Sequence, residues 1–65
     1  MIKEQYYRIL DTALSNAKRY DFTPNESLCM LDGIISCAQY DYDIISEDFV
    51  EIIKYKDKIA EKIGK

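Results

Sequence analysis

Thr23-Pro24-Asn25-Glu26 can open a helix and little else. A threonine hydroxyl at the N-cap accepts from the third helical amide, and a glutamate there reaches back to the cap's own N–H. Proline's fixed φ suits the first helical position. The residues that follow keep the helical period. On a wheel of about 100° per residue, Leu28, Leu31, Ile34, Ile35, Ala38 and Tyr42 fall on one stripe, while Asp32, Ser36 and Gln39 lie opposite. Met30 and Cys37 widen the stripe to roughly half the circumference, more than a surface helix needs. The spacing therefore predicts a helix over about 24–42, set centrally between two helical partners. Gly33 inside it costs about 1 kcal/mol against alanine, either to admit a close neighbour or as a tolerated defect.

The flanks supply those partners. Ile2, Tyr6, Ile9, Leu10, Ala13, Ala17 and Tyr20 share one face of a first helix over about 2–20. Tyr7 and Leu14 lie on its edge, Glu4 stands four residues before Arg8, and Lys18 and Arg19 suit its C-terminal dipole. Asp21-Phe22 is too short a connector to allow anything but an antiparallel neighbour. A third helix, about 47–63, is capped by Ser46, carries Glu47 and Asp48 in its first turn and stops at Gly64. Ile45 before the cap and Val50 after it fit a hydrophobic staple. Phe49, Ile52, Ile53, Ile59, Ala60 and Ile63 form its apolar face. Lys56 interrupts that face. Its ammonium is expected either to snorkel out along its own stem or to pair with an acid on the second helix or across a dimer interface. The fold class is all-α, a compact three-helix bundle, with residues 1–65 as one domain.

A chain of 65 residues buries only about 60% of its unfolded surface, so self-association as a homodimer is a natural second source of stability. No apolar run approaches the roughly 20 residues of a membrane span, and the first ten residues lack a signal-peptide core. Cys29 and Cys37, eight positions apart on one helix, stand about 12 Å from each other, too far to bridge. They read as free thiols, and the expected location is cytoplasmic. The many Ile, Lys and Tyr with no Trp or His suggest an AT-rich coding sequence, as in a low-GC bacterium, a phage or another mobile element.

The modest net charge of −3 hides a segregated one. No Lys or Arg stands between Arg19 and Lys54, whereas eight acids do: Asp21, Glu26, Asp32, Asp41, Asp43, Glu47, Asp48 and Glu51. The last five crowd around one turn. Glu47 and Asp48 favour a helix N-terminus, but Asp41 faces the wrong end of the second helix's dipole. Tyr40 and Tyr42 interleave with Asp41 and Asp43, and tyrosine gives large contact area with few rotors. Tyr40, Asp41, Tyr42, Asp43, Glu47, Asp48 and Glu51 are thus the candidate binding surface; the alternative is a solvated turn whose acids serve solubility.

Several chemistries lack their residues. Without histidine there is no His-based general base, triad or His metal ligand, and the cysteines lack C-x-x-C spacing. The window from Asp41 begins D-x-D like a calcium loop but places Ile45, Ser46 and Ile52 at its fifth, sixth and twelfth positions. No glycine-rich phosphate loop is present. Asp41 and Asp43 are carboxylates without room for a cleft in so small a bundle. The expectation is a non-enzyme with no cofactor, no metal and no catalytic residue. It would be an acidic protein-binding regulator or inhibitor meeting a basic surface of a protein partner, such as its nucleic-acid site. Membrane and direct nucleic-acid binding are not expected. The alternatives are a homodimeric structural module, drawing on Tyr7, Leu14, Met30, Cys37 and Tyr55, or a helix-turn-helix regulator. The last is opposed by Glu47, Asp48 and Glu51 in the half of the third helix that would enter DNA.

Overall fold

The computed structural model describes residues 2–63. Three helices, α1 (Lys3–Arg19), α2 (Pro24–Asp41) and α3 (Glu47–Ile63), form an up-down-up bundle in which each packs against the other two. Ile2, Tyr20 and Tyr42, expected within helices, are caps instead. The expected stop at Gly64 lies outside the described residues.

Each helix begins as its capping residues dictate. Thr23 N–H donates to Glu26 Oε1 at 3.0 Å and Glu26 N–H to Thr23 Oγ1 at 3.2 Å, closing the capping box of α2. The Thr23 N–H, followed by the Thr23 hydroxyl, holds the Glu26 carboxyl below the usual range. Phe49 N–H donates to Ser46 Oγ at 3.2 Å, capping α3. The Gln5 side chain accepts from Ile2 N–H at 2.9 Å at the start of α1. That helix ends with Asp21 in the left-handed region at φ 55° and Phe22 N–H donating to the Ala17 carbonyl at 3.0 Å. This is a Schellman closure with aspartate where glycine is usual.

Tyr6, Leu10 and Ala13 of α1, Leu31, Ile35 and Ala38 of α2, and Phe49, Ile52 and Ile59 of α3 make the core. Sequence periodicity overstated the breadth of α2. Leu28 is 42% exposed and Cys37 lies outside, while Ser27 is fully buried. In a three-helix bundle every helix has two neighbours, so α2 is no more central than the others. Gly33 admits no close neighbour, since a Cβ added there meets nothing within 4 Å. Ile2 and Tyr20, expected on the core face, are exposed because the face runs past both ends of the packed helix. Among the described residues Lys56 pairs with no α2 acid: its half-buried stem leads the ammonium to Asp57 at 3.0 Å on its own helix.

Tyr7 and Tyr55 pack ring on ring with centroids 4.5 Å apart, and the Tyr55 hydroxyl donates to Asp11 at 2.7 Å. Together with Leu14 they lie against the core. Of the five positions offered for a homodimer contact, Tyr7, Leu14, Met30 and Tyr55 are partly buried against the core and Cys37 is exposed.

Candidate functional site

One end of the bundle gathers the start of α1, the end of α2, the connecting turn and the start of α3. All seven candidate residues are here, because the up-down-up path returns α3 to the end where α2 stops. They divide into two groups.

Four are engaged from α1. The Tyr6 hydroxyl donates to the Asp41 carboxylate and approaches the Cys37 carbonyl at 3.3 Å. This bond holds the Asp41 carboxyl below its usual range, while burial and the same carboxylate push the Tyr6 phenol far up. Asp41 was expected to lack compensation at the wrong end of its helix dipole; Tyr6 supplies it. Tyr42 turns inward, its ring edge-on to Tyr6 at 6.2 Å and 65°. Desolvation raises its phenol, followed by the charge of Asp48. Lys3 reaches into the acidic cluster, with Nζ 2.5 Å from Glu51 Oε2 and 3.5 Å from Asp48 Oδ1. The Lys3 bond holds the Glu51 carboxyl low, and Glu51 raises the Lys3 ammonium in return. The gap in basic residues along the chain is thus partly filled in space.

The other three face water. Tyr40 is 92% exposed, and Asp43 and Glu47 are exposed with no ion pair or side-chain hydrogen bond among the described residues. Between them stand two residues that sequence reasoning missed as site members, Ile44 and Ile45. The expected staple does not close: Ile45 is 88% exposed, and Val50 is exposed as well. The available signal was composition, since an Ile-Ile pair inside a turn runs against the polar preference of turns.

No group of three or more His, Cys, Asp or Glu among the described residues is placed to hold a metal ion. No helix among them is long and apolar enough to cross a membrane. An open groove of about 360 Å³ between α1 and α2 is lined by Ile9, Thr12, Ala13, Asn16, Met30 and Ile34, without a charged side chain. Comparison with protein-family models, with curated proteins and with solved structures gives no match.

Proposed function

We propose that the chain is a small acidic protein-binding module, a regulator or inhibitor that meets a basic surface of a partner protein, such as its nucleic-acid site, with its α2–α3 end. The observation that carries this reading is the exposure of Tyr40 beside Asp43 and Glu47 at the end where Asp48 and Glu51 also lie. Exposed carboxylates on a rigid end speed encounter with a basic surface, and tyrosine contributes contact area at little entropic cost. Lys3 trims the charge without cancelling it, because one ammonium faces both Asp48 and Glu51.

The test is capture from a bacterial lysate on the immobilised chain, run beside Asp43→Asn/Glu47→Gln. A basic protein retained at low salt, released at high salt and lost with the double variant is the expected result. Retention indifferent to salt and to the variant would overturn the reading.

A second reading is self-association through the uncharged α1–α2 groove, where Met30 and Ile34 remain half-exposed. Apolar surface free of like charges is where two copies of an acidic chain approach most easily. Sedimentation as a monomer at high micromolar concentration would remove it.

A further inference from the structure

The α2–α3 turn has an inverted composition. Asp43 to Ser46 close with the Ser46 amide donating to the Asp43 carbonyl at 2.9 Å. The two central positions of such a turn ordinarily take Gly, Pro, Asn or Asp; here they hold Ile44 and Ile45. Neither adopts a left-handed φ, so the backbone accommodates them. The core does not take them in: Ile44 is 65% and Ile45 88% exposed. Tyr40 stands exposed in the last turn of α2, and Asp43 and Glu47 flank the pair in sequence.

We infer that this tip is the docking surface for a cationic amphipathic helix of a partner protein. Ile44, Ile45 and Tyr40 receive its apolar stripe, and Asp43 and Glu47 receive the Lys and Arg beside that stripe. The inference rests on the basic-partner reading above and adds the shape and chemistry of what is bound. The hydrogen-bonded turn fixes the isoleucines before binding, so little loop entropy is lost on contact. The flanking carboxylates repel nucleic-acid phosphates and anionic lipid headgroups, which leaves a basic protein segment as the complementary occupant. The bundle is 17 × 15 Å in cross-section. A helix lying across its end therefore needs about 11 residues at 1.5 Å each, three turns.

The test uses the full chain and two synthetic peptides of about 11 residues, each made of Leu and Lys. One has its leucines at i, i+3, i+4 and i+7; the other has the same composition with leucines spread around the helix. Calorimetric titration is expected to give at least about tenfold tighter binding of the amphipathic peptide. Ile44→Ser/Ile45→Ser should erase that preference without changing the helical circular dichroism or the Tm, since both side chains stand in water. Asp43→Asn/Glu47→Gln should weaken both peptides. Equal binding of the two peptides by the unaltered chain would overturn the inference and leave the basic-surface reading standing. Binding of neither peptide would overturn both. Tighter binding to phosphatidylcholine vesicles than to the amphipathic peptide would make the tip a membrane contact and also overturn the inference.

Discussion

The Tyr6 hydroxyl donates to the Asp41 carboxylate across the α1–α2 interface. A residue of the second turn of one helix thereby neutralises the cost of an acid at the C-terminus of the next. Tyr6 is almost wholly buried, and Tyr42 closes over it edge-on. Tyr6→Phe keeps the packing and removes the donor, so the Tm is expected to fall. Asp41→Asn should soften the loss, because a neutral amide at a helix C-terminus needs less compensation. A double-mutant cycle by thermal denaturation measures the coupling, and additive effects would mean the bond contributes nothing to stability.

Gly33 sits in mid-helix with open space where a Cβ would go. Gly33→Ala should stabilise the chain by about 1 kcal/mol, which for a domain of this size raises the Tm by about 4–8 °C. A Tm that falls instead would mean a close neighbour occupies that space in solution.

Ser27 is fully buried, and its hydroxyl has no partner among the described residues. Ser27→Ala removes a desolvated polar group at nearly constant shape and installs a better helix former. The expected gain is about 1 kcal/mol in urea denaturation with an unchanged slope. Destabilisation would show that the hydroxyl is satisfied after all.

The titrating groups bound the pH range of the fold. Asp41, Glu26 and Glu51 have depressed carboxyls in the folded chain. Their contribution is present above the ordinary carboxylate values of 3.8 and 4.5 and is lost as pH falls through the folded ones. Tyr6, Tyr7, Tyr42 and Tyr55 are raised above 10.0. The unfolded chain then ionises first, so stability drops as pH climbs past that value. Denaturation midpoints should form a plateau between these limbs. Tyr6→Phe should blunt both limbs, since it removes one raised phenol and the donor that lowers Asp41.

Lys3 is the base that the fold places among the acids of the binding end. Lys3→Gln is expected to accelerate association with a basic partner and steepen its dependence on ionic strength. It should also cost only a little stability, because solvent screens ion pairs at the surface. Stopped-flow association rates at two salt concentrations decide it; a slower rate would place Lys3 itself in the contact.

Local signals were enough for the helices. Thr23-Pro24-Asn25-Glu26 and Ser46 set two starts within the span of a capping turn, and the period of Tyr6, Leu10, Ala13 and Ala17 marked the buried face of α1. These depend on interactions three or four residues apart, which a sequence displays directly. The acidic end was legible as composition, and Asp41 as an anomaly, because helix dipoles too are local.

What answered the anomaly was not legible. Tyr6 lies 35 residues from Asp41 and Lys3 lies 48 from Glu51; the antiparallel return of α2 along α1 brings the first pair together, and the start of α3 at the end where α1 begins brings the second. The same packing decided which side of α2 stays wet, putting Ser27 inside and Leu28 and Cys37 out. It also left Ile44 and Ile45 in solvent, where a local staple rule had folded one of them away. Sequence periodicity determined how many helices form and which residues could face inward. Which of those did so depended on how three amphipathic helices share one small core, a property of their mutual crossing rather than of any single stretch.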